Sequence, residues 1–215
     1  MWRLVRIAFL LMVLFGVAFT SWVERERSVS WRTPLWVGVF PVAGDDSERT
    51  TGYIAGLSPQ DFQPIADFLR REAQRRGLNG EVIRLQLYAP PRAAPPARGG
   101  SDGIVANVLW SLRLRAYAWR RTQEVPGAHP SVRVFVIYHD PARTVKVPHS
   151  VGLQKGLIGV VHAFASREER GGNQVVIAHE LLHTLGASDK YGAGNLPRWP
   201  EGYGSMTAVD ASRLK

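Results

Sequence analysis

Apolar and polar positions alternate between two periods along this chain. LWVGVFPV (35–42) is a short apolar run that predicts a strand. Ser58-Pro59-Gln60-Asp61 follows with an N-cap residue, a proline at the first helical position and an acid at the third, a start of the capping-box kind. Phe62, Ile65, Ala66, Leu69 and Ala73 then recur at helical spacing, and Gly77 can end that helix in a left-handed turn. The spacing predicts a helix with one face in the core.

EVIRLQLYA (81–89) alternates apolar and polar residues as a half-buried strand does. It gives way to PPRAAPPARGGSDG (90–103), whose prolines and glycines predict an exposed loop that does not pack. Val105, Val108, Leu109, Leu112, Ala116 and Trp119 mark a second amphipathic helix, with these residues as its apolar face. VRVFVIYH (132–139) and GLIGVVHAFA (156–165) are rich in β-branched and aromatic residues and read as strands. A last helix is predicted between Asn173 as N-cap and Gly186 as C-terminal stop. Strands and helices around one core imply an α+β domain built on a mixed sheet with packed helices.

The first residues stand outside that pattern. MWRLVRIAFLLMVLFGVAFTSWVERER opens with two arginines, runs uncharged from Ile7 to Val23 and then alternates charges. The run matches the lower length of a spanning helix, and Gly16-Val17-Ala18 is a poor cleavage signal with apolar residues continuing past it to Trp22. The expected organisation is therefore a signal anchor over 1–23, a linker over 24–34 and one domain over 35–215. Cleavage of the leader would instead release a secreted domain. Arg25, Arg27 and Arg32 outnumber Arg3 and Arg6, which by charge alone favours the opposite orientation. The expectation adopted is export, with the domain on the periplasmic or extracellular side.

Composition adjusts this picture only a little. The 215 residues carry 27 Lys and Arg against 18 Asp and Glu, a net charge of +9. The excess is diffuse: RREAQRR (70–76) and Arg113, Arg115, Arg120 and Arg121 fall on helical segments, where charge runs usually form solvated faces. No basic module with interleaved aromatics points to nucleic acid, so no nucleic-acid partner is expected, and loose attraction to anionic headgroups is the better reading of the charge. There is no cysteine, hence no disulfide and no thiolate ligand.

HELLHTLGASDKY (179–191) carries the chemistry. At 100° per residue, Ile177, Ala178, Leu181, Leu182 and Leu185 gather on one side of the last helix, and His179 and His183 lie together on the other. Residues four apart have Cβ atoms about 5 to 6 Å from each other, which suits two imidazoles closing on one ion. Glu180 is rotated too far to be a third ligand there and can instead reach a water. Gly186 allows a sharp reversal that can bring Asp189 back as the third ligand. Three protein ligands leave a fourth position for water, the pattern of a catalytic zinc site.

These residues resemble the metzincin zinc peptidases, whose signature is H-E-x-x-H-x-x-G-x-x-H with aspartate in the last place in some branches. His179, Glu180, His183, Gly186 and Asp189 fit the aspartate form, and the Lys190-Tyr191 that follows is similar to the acid-x-Tyr of bacterial secreted members. The resemblance covers about 13 residues, and the order of strand, helix, strands and final helix is similar to the N-terminal half of that fold. It implies Zn2+ held by His179, His183 and Asp189, Glu180 as the catalytic base, and hydrolysis of a protein or peptide substrate. It also implies a methionine turn beneath the metal, for which Met206 in GYGSMT is the one candidate after the helix, although only nine residues follow it. Tyr191 and Tyr203 are close enough in sequence to assist as phenols, or else they pack.

The other histidines are weaker candidates. His129, His139 and His149 lie at strand ends or in loops where solvent exposure is expected, and His162 sits within a strand, where a hydrogen-bonded role is usual. None is assigned to metal. The strand at 156–165 is expected to pair with an extended peptide by adding it as a further strand. Two classes of function follow: a membrane-anchored zinc endopeptidase, or a non-catalytic envelope protein that keeps the helix for binding or assembly.

Overall fold

Residues 2–29, 34–99 and 103–189 are described by a computed structural model of the chain. They form an α+β structure on a mixed five-stranded sheet. Helix α1 (Trp2–Val29) is followed by strand β1 (Leu35–Ala43), helix α2 (Glu48–Ala55), helix α3 (Gln63–Arg75) and strand β2 (Ile83–Leu87). Helix α4 (Ile104–Gln123), strands β3 (Val132–His139), β4 (Val151–Leu153) and β5 (Ile158–Phe164), and helix α5 (Arg170–Thr184) complete it. The strand order is β2-β1-β3-β5-β4. All neighbours are parallel except β4, which runs antiparallel to β5 at one edge.

Two cores follow from the period of the strands. On one face Val37, Val39, Val134, Val136, Val161 and Ala163 pack under α3 and α5. On the other, Phe40, Phe135, Ile137, Ile158 and Val160 pack under α4. Alternate residues of each strand thus serve opposite layers, as the pleat requires. Strands buried on both faces read as continuous apolar runs, which is why 35–42 and 132–139 were legible.

The start of α3 follows the predicted chemistry. A single 3-10 turn over Pro59–Phe62 precedes it, and the Asp61 carboxylate accepts from the Ser58 backbone N–H at 2.8 Å and from the Ser58 hydroxyl at 2.9 Å. Phe62, Ile65, Ala66, Leu69 and Ala73 are all buried, and Gly77 takes a left-handed φ of 78° beyond the helix.

Four expectations need correction. The face of α4 that sequence periodicity selects is turned outward: Val105, Val108, Leu109, Leu112, Ala116 and Trp119 are exposed, and Leu114 and Ala118 are the residues that meet the sheet. The helix has two apolar faces, so spacing alone could not choose between them. The Pro-rich segment packs more than predicted, because Pro95 is buried while the Trp110 indole donates to the Pro96 carbonyl and the Tyr117 hydroxyl to that of Ala93.

α5 begins at Arg170, running through Gly171 and Gly172, so Asn173 is not its N-cap. The Asn173 side chain instead spans to β5, donating to the Phe164 carbonyl at 2.9 Å and accepting from the Phe164 N–H at 3.0 Å. Finally, β5 lies inside the sheet between β3 and β4: its outer side is paired to β4 over 158–160, and beyond that the His162 N–H donates to the Ser150 hydroxyl and Phe164 is held by Asn173, so the edge strand among the described residues is β4. α1 runs as helix to Val29.

Candidate metal centre

The site is built at the C-terminal end of α5. Ile177, Leu181 and Leu185 are buried against the sheet, and Ala178 and Leu182 pack at the margin of the same core. This fixes the rotation of the helix and leaves His179 exposed and His183 partly exposed. The helix ends in a Schellman motif: the Gly186 N–H donates to the His183 carbonyl and the Ala187 N–H to that of Leu182, both at 3.0 Å, with Gly186 at a φ of 95°. A side chain at 186 would be strained by that backbone conformation and would also have to displace the flexible Gln154 amide, so it is the backbone that calls for glycine.

That reversal returns Asp189 to the histidines. The Nε2 atoms of His179 and His183 are 2.9 Å apart, and Asp189 Oδ1 lies 3.6 Å from the first and 3.4 Å from the second. The three atoms form a compact set in which each residue offers one donor. Donors about 2.05 Å from a common tetrahedral centre are separated by about 3.3 Å, a value these three distances bracket. Two imidazole nitrogens and a carboxylate oxygen are a donor set that zinc accepts. The residues fit a divalent ion of that kind.

The hydrogen bonding points the same way. His183 Nδ1 lies 2.9 Å from the Ala187 carbonyl oxygen, which can only accept, so Nδ1 carries the proton. In the neutral ring Nε2 then presents its lone pair toward His179 and Asp189. The carbonyl that orients the ring comes from the same turn that returns Asp189, an outer contact of the sort that holds metal-ligating histidines.

Glu180 occupies a different environment from its neighbours. It is 8% exposed, and the backbone of Gly152 in β4 hydrogen-bonds to it. Burial pushes its carboxyl above the usual range, opposed by the two histidines beside it. β4 can come this close because residue 152 is glycine: a Cβ there would lie 2.5 Å from the Glu180 carbonyl oxygen and 2.7 Å from the Cβ of His183. Sequence reasoning did not single out Gly152, although an isolated glycine in a short strand is a signal of close backbone approach.

Beside the histidines, a groove of about 400 Å3 opens between α3 and α5. Pro64, Phe68, Val175, Ala178 and Leu182 line it, with His179 at its rim. His139 and His162 are brought together elsewhere, on the α4 face of the sheet, with His139 Nε2 2.9 Å from His162 Nδ1. Burial lowers the pKa of both, that of His162 to about 4, with the charge of His139 adding to the effect. His139 is therefore not the exposed strand-end residue expected, whereas His129 and His149 are exposed. Tyr191, Tyr203 and Met206 lie outside the described residues.

Comparison with known proteins returns no matching family model, no matching curated protein and no matching solved structure.

Proposed function

We propose that the protein is a zinc-dependent endopeptidase held at a membrane by its N-terminal helix, with its domain outside the cytoplasm. The observation that carries the reading is the convergence of His179 Nε2, His183 Nε2 and Asp189 Oδ1 within 3.6 Å of one another. The metzincin resemblance of 179–191 agrees with it. So does the element order, a strand, helices and further strands leading to the helix that carries the histidines.

His179, His183 and Asp189 would hold the ion, and their exposed side leaves room for a water and a carbonyl. When bound, zinc supplies Lewis acidity to both. Glu180 acts as the base: its raised pKa suits a carboxylate that accepts a proton from water and returns it to the departing amine. β4 is the edge strand among the described residues and lies against α5 beside His183, where an extended peptide would add alongside it. The apolar groove at His179 then suits a large apolar side chain near the scissile bond. Membrane anchoring is supported by the 18-residue window Trp2–Phe19, with a mean hydropathy of 2.0 and no part buried within the protein.

The test combines zinc stoichiometry of the full chain with cleavage of a peptide library. One zinc per chain is expected, and Glu180→Gln is expected to keep the metal while losing about a hundredfold or more of the activity. Less than about half an equivalent of zinc, unrecovered on addition, overturns the site. Full zinc occupancy with no cleavage of any peptide supports instead the non-catalytic binding protein.

A further inference from the structure

The outward face of α4 is a surface that no other described part of the fold covers. Leu114 and Ala118, flanked by Trp110 and Tyr117, already cover the sheet. On the opposite side Val105, Leu112 and Trp119 are 71%, 52% and 61% exposed, in line with Val108, Leu109 and Ala116. At 100° per residue these six fall within an arc of about 100°, a continuous apolar stripe along the whole helix. Arg113 and Arg120 border one side of the stripe and Arg115 the other, and the helix contains no acidic residue.

We infer that this face of α4 lies in the interface of a bilayer, with the stripe at the acyl-chain boundary and the arginines among anionic headgroups. The inference rests on the reading of α1 as a membrane span. The geometry of the tether favours lipid as the occupant. Between Phe19, where the apolar window ends, and Leu35, where β1 begins, the helix to Val29 and the short connection after it reach at most about 37 Å. A domain of this size is about 38 Å across, so the tether holds it within about one domain diameter of the surface and keeps lipid within reach of α4. An apolar stripe edged with arginines and carrying an exposed tryptophan has the design of an interfacial helix. A second copy of α4 would set four arginines against four, with no acidic residue on the helix to offset them.

The arrangement also orients the rest of the molecule. α4 and α5 cover opposite faces of the sheet, so seating α4 on lipid turns His179 and His183 away from the membrane. The site then faces segments that stand off the surface by about two packed layers, on the order of 20 Å.

The chain has no native cysteine, so single labels can be placed cleanly. The full chain would be reconstituted in phosphatidylcholine vesicles with and without phosphatidylglycerol, with an environment-sensitive fluorophore on Met12→Cys in α1, Leu112→Cys in α4 or Gln74→Cys in α3. Lipid-borne nitroxide is expected to quench positions 12 and 112, and aqueous iodide position 74. Phosphatidylglycerol should deepen the quenching at 112, and Arg113→Glu with Arg120→Glu should abolish that increment. If lipid quenches 12 while iodide quenches 112, the anchor stands and the seating of α4 is overturned. If iodide quenches 12 as well, the span itself fails, and the inference with it. Shielding of 112 from both quenchers would mean that protein covers α4, which also overturns the proposal.

Discussion

Gly152 and Glu180 meet where the edge strand crosses the last helix, so closely that a methyl group on residue 152 would sit 2.5 Å from the Glu180 carbonyl oxygen. The contact places the strand edge, the buried carboxylate and His183 in one assembly. Gly152→Ala must displace β4 or α5. A loss of about 1–3 kcal/mol in unfolding free energy is expected, with weaker zinc binding as the histidines shift. Denaturant titration and metal titration of the same variant check both, and unchanged stability would show that the strand is free to move.

Asn173 ties α5 to β5 through both arms of its amide. Asn173→Ala leaves the N–H of Phe164 without its partner in a half-buried position, while the Phe164 carbonyl keeps its bond from the Ser166 N–H, at a cost of about 1–2 kcal/mol. Asn173→Asp should cost more, since it turns a carboxylate oxygen toward the Phe164 carbonyl. Chemical denaturation of the two variants gives the ranking, and an aspartate variant as stable as the wild type contradicts it.

The His139–His162 pair sets an acid limit. His162 titrates near 6.5 when unfolded and at about 4 when folded, so as pH falls through that window the unfolded chain binds its proton first. Stability from this group is complete above about pH 6.5 and is lost as pH drops toward 4. His162→Gln should flatten the fall in melting temperature between about pH 7 and about pH 4.5. Equal slopes for variant and wild type would remove the pair from the account.

Zinc should stabilise the folded chain by about 2.7 kcal/mol at a hundred times its dissociation constant. Asp189→Asn keeps the size of the side chain but removes its charge, and should need at least about tenfold more free zinc for the same rise in melting temperature. Buffered-zinc melting curves measure this, and coincident curves would mean that Asp189 is not a ligand.

Val175 is exposed on the groove beside His179. If large apolar side chains bind there, Val175→Lys lowers kcat/KM for peptides carrying one near the scissile bond by about tenfold or more and spares small-residue peptides. Cleavage profiling of the two proteins decides it.

Where burial on two faces makes a strand continuously apolar, the sequence reading comes close: 35–42 and 132–139 differ from β1 and β3 by at most one residue. β4 was missed because three residues cannot show an alternation, and its position depends on pairing with Leu153, Gly152 and Val151 against β5. α2 was missed as well; it has only eight residues, with two of them buried. The outward turn of α4 was illegible for another reason: periodicity reports that a face is apolar but not what it meets. At the site, the spacing of 179, 183, 186 and 189 anticipated which side chains converge. The partners that hold them, the Ala187 carbonyl and the backbone of residue 152, are main-chain groups; the first leaves no mark in residue type, and the second leaves only the glycine that lets it approach.

The parallel centre of the sheet also sets an order of events during synthesis. Val37 in β1 pairs with Val132 in β3, and β3 in turn needs β5 on its other side. The first strand therefore waits for about ninety-five further residues before its inner neighbour exists, and long-range parallel pairing of this kind is slow to form. The leading apolar helix emerges long before then. Whatever receives that helix meets a nascent chain whose sheet has not begun to assemble.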